Sequence, residues 1–423
     1  TGEATVSASS LTFANSNWDT PQTITVTGIP DFLDDGDQTS TVTLSVNDGS
    51  SDDDYDSLAN KTVSVTTTDI DLAPAFTTAI TAGNTCSTGC ATIGLAEGGN
   101  TGTISVVLGT APAGNVVFDV TASDTTEATV STATLTFTNS NWDTPQVITV
   151  SSVDDDLDDA RQNWTVTVAV NDAASHDAWD SLGDQVTNGK TTDDDTAGFT
   201  LSGTTASVSE TGTTDTFTVV LDSEPTGNVV FGISSADTGE TTVSAAALTF
   251  TTSNWDTPQT ITVTGIDDTA TDGNQTTTVT VTVNDSSTAD SAYDALSDRT
   301  VAVTTADDDS PGFTAAASGG STTVSEAGST DTFTVVLNAQ PTSDVVFNVS
   351  SGDTGEATVS TASLTFTTSN WNTTQTVTVT GVDDTANDGD QSTTITVSVN
   401  DGSSDNAFDS LADETLSATT TDD

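Results

Sequence analysis

The thirteen residues SNWDTPQTITVTG stand at positions 16–28 and, letter for letter, at 253–265, with close variants SNWDTPQVITVSS at 140–152 and SNWNTTQTVTVTG at 369–381. A period a little over a hundred residues is too long for one turn of a solenoid and matches a whole small domain. The chain therefore reads as tandem copies of one unit. The expected divisions are 1–71, a partial copy holding only C-terminal strands, followed by complete copies at 72–195, 196–309 and 310–423.

Low hydrophobicity with a formal charge of −59 is also the signature of disorder. Strict alternation argues otherwise: TFTVVL, NVVFGI, TITVTG and TVTVTVN place an apolar or β-branched side chain at every second position, as a half-buried strand requires. In the copy at 196–309 turn signals leave seven segments, A to G, at 198–209, 215–221, 228–234, 241–250, 259–264, 275–284 and 299–305. Seven short strands in a domain of this size predict an all-β fold of tandem seven-stranded antiparallel immunoglobulin-like sandwiches, arranged as a rod. The repeated motif then joins D to E. Its Trp255 reads as an apolar plug at the end of the sandwich rather than a ligand-stacking ring, and Tyr293, with Tyr55, Trp179 and Phe408 in its place elsewhere, reads as core.

Four Lys plus Arg face 63 Asp plus Glu, so nucleic acid and anionic lipid are repelled and the natural partners are cations. No apolar run is long enough to span a membrane. With no Met, the sequence is expected to be a mature or excised piece, a window on a longer continuous chain. Cys86 and Cys90, in CSTGC, read as a local disulfide formed in an oxidising compartment, with two unpaired thiols as the alternative.

Topology sorts the acids. In an antiparallel seven-strand sandwich the A–B, C–D and E–F connections and the exit of G share one pole. Glu210 ends A, Glu240 lies between C and D, Asp267, Asp268 and Asp272 fill E–F, and Asp307, Asp308 and Asp309 leave G. Two like charges roughly 4 Å apart cost about 1 kcal/mol in water and about 4 kcal/mol near a protein surface. Such a cluster needs a positive charge that the chain's own side chains scarcely supply. All-oxygen, carboxylate-rich surroundings select hard divalent cations, calcium above all. The run SDDDYD at 51–56 falls at the other pole and reads as a solvated loop.

VSE, then IDD with further acids ahead of a β-branched strand, then DDD closing the unit, resembles the Calx-β domain, the calcium-binding sandwich of sodium/calcium exchangers and of large bacterial surface proteins. The resemblance implies calcium ligands at Glu210, Glu240, Asp267, Asp268, Asp307, Asp308 and Asp309. In the next copy it implies Glu326, Glu356, Asp383, Asp384, Asp422 and Asp423, with Asp388 in the place of Asp272; in the copy before, Glu97, Glu127, Asp154, Asp155, Asp193, Asp194 and Asp195. In the partial copy Pro30 replaces the first E–F acid and Asp-Ile-Asp at 69–71 replaces DDD.

DDDTAGF and DDDSPGF run straight from one unit's acids into the next unit, so a cation there also sits at a junction. The expected function is mechanical: a calcium-stiffened extracellular or cell-surface rod or filament, with calcium and neighbouring repeats as partners. An adhesin holding a surface glycan or protein through the variable F–G loops is the alternative, and a calcium sensor a third reading. Catalysis is not expected, since the chain has one His, His176, and no nucleophile motif. Sequons such as Asn348-Val349-Ser350 leave glycosylation open.

Overall fold

The computed structural model describes residues 2–31, 33, 35–82 and 91–422; the expected Cys86–Cys90 pair and Asp423 lie outside them. The chain divides into two compact units, Thr1–Asp195 and Thr196–Asp423. Every complete copy folds as the same two-sheet sandwich.

In the copy at 196–309 the strands are β1 (Phe199–Leu201), β2 (Thr205–Ser209), β3 (Thr214–Leu221), β4 (Val229–Ser235), β5 (Thr241–Val243), β6 (Ala247–Phe250), β7 (Gln259–Gly265), β8 (Gln275–Val283) and β9 (Arg299–Ala306). One sheet has the order β1-β3-β7-β5 and the other β2-β9-β8-β4-β6. Two of the seven expected segments thus differ from the sequence reading. Segment A changes sheet, its first half pairing antiparallel with β3 and its second parallel with β9. Segment D likewise divides between β7 and β4. Both switches put short strands, three to five residues long, at all four sheet edges, and short edge strands leave little backbone open to pairing with another chain.

Alternation delivers the core. Phe217, Val219 and Leu221 of β3 face Val229, Phe231 and Ile233 of β4 inside the sandwich. Phe231 sits between Phe199, 4.7 Å away, and Phe250, 5.9 Å away and edge-on. The same trio recurs as Phe76, Phe118 and Phe137, and as Phe313, Phe347 and Phe366. In the partial copy the two-stranded sheets Ala4–Val6 with Val26–Gly28 and Gln38–Leu44 with Lys61–Thr67 lack the covering strands, and Phe13, Trp18 and Tyr55 are exposed.

The repeated motif is a staple. Its Trp packs against the core as Trp142, Trp255 and Trp371. The Asn before it accepts a backbone N–H three residues upstream, from Thr138, Thr251 or Thr367. Its Gln reaches back to a carbonyl of the preceding strand, that of Thr136, Thr249 or Thr365. Tyr293, Trp179 and Phe408 are buried, as packing residues should be. Among the described residues no helix is long and apolar enough to cross a membrane.

Candidate metal centre

Glu210 directly follows β2, and its N–H continues the parallel ladder by donating to Ala306 O at the end of β9. Asp307, Asp308 and Asp309 leave β9 beside it. Glu240 enters β5 while its carbonyl accepts Ile266 N, which ties it to the start of the β7–β8 loop. Four separated stretches are thus held at one pole by backbone pairing.

Within that pole the carboxylates have distinct duties. Asp307 is fixed by amides: Oδ2 accepts Gly273 N at 2.7 Å and Oδ1 accepts Asp309 N at 2.8 Å. Asp193 does the same with Ala160 N and Asp195 N. The turn residue so held has positive φ, 73° at Gly273 and 61° at Ala160, which glycine adopts without cost and alanine rarely does. Asp268 Oδ1 accepts Ala270 N, shaping the β7–β8 loop.

The glutamates point inward. Glu97 and Glu210 are 4 % and 1 % exposed. One oxygen each from Glu210, Asp307 and Asp309, and likewise from Glu97, Asp193 and Asp195, lie within 4.8 Å of one another. Burial first, then the charges of Asp155, Asp193 and Glu127, pushes the Glu97 carboxyl up to about 7. Burial, with Asp307, Asp268 and Glu240 adding to it and the Asp308 amide opposing, pushes Glu210 up to about 7. Burial and neighbouring acids also raise Glu127, Glu240, Asp195 and Asp309. Buried oxygens of Glu97, Glu127, Glu240, Asp309 and Glu356 have no hydrogen-bond partner. Carboxylate oxygens gathered this closely, some of them buried without a donor, are a donor set of the kind that hard dications take.

The copy at 310–423 gathers a different trio, Glu356, Asp384 and Asp388, within the same 4.8 Å. Glu326 is buried beside the strand exit, and Asp422 Oδ2 accepts Gly389 N. Asp154, Asp194, Asp267, Asp272, Asp308 and Asp383 are exposed at the rim, while Asp155 lies close enough to raise both Glu97 and Glu127. The sequence reading passed over Asp159, whose Oδ1 is buried and unpartnered and which is the first charge to act on Glu127. Its place matches Asp272 and Asp388, and that alignment is the signal that finds it. In the partial copy Asp71 is raised by burial and by Asp69, Asp31 and Asp35.

At the other pole the run 51–56 is largely exposed, as expected of a solvated loop, and holds a short turn. Asp52 caps a short 3-10 turn by accepting Asp54 N. Asp290, Asp405 and His176 hold the same position, and Asp405 Oδ2 accepts Thr342 N, Thr342 Oγ1 and Ser343 N from the opposing turn.

No protein-family model and no curated protein matches the sequence. Among solved structures, the calcium binding domain CBD12 of CALX1.1 aligns at 15 % identity and a TM-score of 0.24, covering 45 % of this chain and 76 % of that one. Domains 4 and 5 of the S-layer protein SbsC align at 20 % identity and a TM-score of 0.22, covering 45 % and 76 %. Domains 4–9 of the same surface layer protein align at 15 % identity and a TM-score of 0.21, covering 93 % and 55 %.

Proposed function

We propose that each complete repeat binds calcium at its acidic pole and that the array serves outside the cell as a calcium-stiffened structural segment of a surface or secreted protein. The observation that carries this reading is the trio built on a buried glutamate, Glu97 with the half-buried Asp193 and Asp195 and its counterpart Glu210 with the half-buried Asp307 and Asp309, in which one oxygen of Glu97 and one of Asp309 find no donor. In the copy at 310–423 Glu356, Asp384 and Asp388 would hold the ion, with Glu326 and Asp422 alongside. The rim acids Asp154, Asp155, Asp267, Asp268, Asp272 and Asp383 complete the oxygen shell that calcium, with six to eight ligands in loose geometry, accepts more readily than magnesium. Bound calcium supplies the missing positive charge and cross-links strand exits that are far apart in sequence.

Stiffening follows from position. Only three residues separate Asp309 from the next copy's first strand, Phe313–Ala317, so an ion at that pole restrains the junction directly. Extracellular calcium is millimolar, and loosely built sites of this kind suffice there. The reading assigns no catalytic role.

Small-angle scattering and thermal melting of the full chain in millimolar calcium and in chelator test it. Calcium should give an extended particle with a higher melting temperature, and chelation a shorter mean dimension and earlier melting. Identical curves in the two buffers overturn the proposal.

A further inference from the structure

The β7–β8 loop has two sides. One carries Asp268 and Asp272. The other carries the carbonyl of Thr269 and the N–H of Thr271, and these pair with Gln340 in the turn of the following copy: Gln340 N donates to Thr269 O at 2.7 Å and Thr271 N donates to Gln340 O at 3.0 Å. The result is a parallel bridge between Ala270 and Gln340. Side chains reinforce it, with Thr269 Oγ1 donating to Gln340 Oε1, Thr271 Oγ1 donating to Gln340 O, and Gln340 Nε2 anchored on Thr368 O of its own copy.

The same bridge occurs in the other unit. Leu33, in the corresponding loop of the partial copy, bridges Ala111 of the copy that follows. Ala111 and Gln340 share one local feature, a proline immediately after them, Pro112 and Pro341. Proline excludes the helical region for the residue before it, so that residue is held extended with its N–H and C=O available to a passing strand. The X-Pro turn is therefore a preformed strand one residue long.

We propose that this X-Pro turn is the docking element by which the copies at 72–195 and 310–423 each seat on the copy before them within their own unit, and that Gln340 is a positioning residue for the acidic loop of its neighbour. The second part rests on the calcium reading. The link is local: Ala270 N is held by Asp268 Oδ1 on the acidic side, while the next amide, Thr271 N, is held by Gln340 on the other. Fixing those two consecutive amides from opposite sides sets where Asp268 and Asp272 stand. Linkage then runs both ways, so docking raises calcium affinity and calcium strengthens docking.

The test is residue-resolved amide exchange on the full chain, in chelator and across a calcium titration, for the wild type, Gln340→Ala and Gln340→Pro. Gln340→Ala keeps the backbone pair, as Ala111 does naturally, and should keep Thr271 protected. Gln340→Pro removes the donor N–H. It should speed exchange at Thr271 by several-fold to about tenfold, the effect of losing one bond of ordinary net strength. It should also raise several-fold the calcium concentration needed to protect residues 266–274, while the loop at 153–160 keeps its wild-type midpoint and the strand Val345–Ser351 stays protected. If Gln340→Pro leaves Thr271 exchange unchanged, the docking role is overturned. If Thr271 is released but the midpoint at 266–274 does not move, the positioning role is overturned. A wild type with no calcium response in any loop removes the calcium reading and the positioning role with it, and the chelator arm alone then decides docking.

Discussion

Glu97 and Glu210 hold their protons to about pH 7, well above the ordinary 4.5, because burial and neighbouring acids disfavour the charged form. A raised folded pKa means that the folded state binds the proton more tightly than the unfolded chain. The stability it brings is complete below about pH 4.5 and is lost as pH climbs through 7. In chelator the melting temperature should therefore fall between pH 5 and pH 8. In millimolar calcium the fall should vanish or reverse, since the ion takes the proton's place. Asp215 behaves oppositely: the N–H groups of Ser207 and Thr216 hold it below its usual range, so its contribution fails only in stronger acid. A second residue-level exchange is steric. Trp164 faces Gly189 across two strands where the next copy pairs Thr277 with Val303, and a Cβ on Gly189 would lie 2.0 Å from the indole. Gly189→Val should destabilise that copy by about 1–3 kcal/mol, the range for overpacking a core, and Trp164→Thr in the same chain should recover most of it. Differential scanning calorimetry of the wild type and the two variants checks both statements.

At the scale of the element, the strands were legible because alternation is a local property: the segments 215–221, 228–234, 259–264, 275–284 and 299–305 were all readable as single strands. The switches inside A and D were not. They depend on which partner is within reach, parallel β9 for the second half of A and β4 for the second half of D, and no residue at 202–204 or 244–246 declares that choice. The acidic pole was legible for the same reason that it forms, since connection order alone sends those loops to one end. Which oxygens face inward was not, because strand twist and the turn at Gly273 or Ala160 decide it. At the opposite pole the sequence reading assigned Asp405 no part. Asp405 accepts three donors from the facing turn, so Asp405→Ala should cost about 1–3 kcal/mol by leaving those donors unpaired, measured as a drop in urea midpoint.

For the whole molecule the governing number is the charge of −59. Self-repulsion at that density opposes any compact form. Monovalent salt screens over about 8–10 Å at physiological strength, whereas calcium bound as proposed would neutralise the trio itself. Raising sodium chloride in chelator should therefore recover part of the melting temperature lost on removing calcium, and saturating calcium should make the protein nearly indifferent to sodium chloride. Equal effects of the two salts at matched ionic strength would show that bulk screening alone is at work.

The sequence alone determined the copy length, the all-β class, the number of chain segments in each sandwich and the end at which the acids collect, because period, alternation and connection order are written residue by residue. Tertiary structure decided the rest: where A and D cross between sheets, which three carboxylates come within reach of one another, that Asp159 lies close enough to act on Glu127, and that an X-Pro turn closes on the neighbouring loop. Each of these depends on distances between residues tens of positions apart, and such distances exist only once the two sheets have packed.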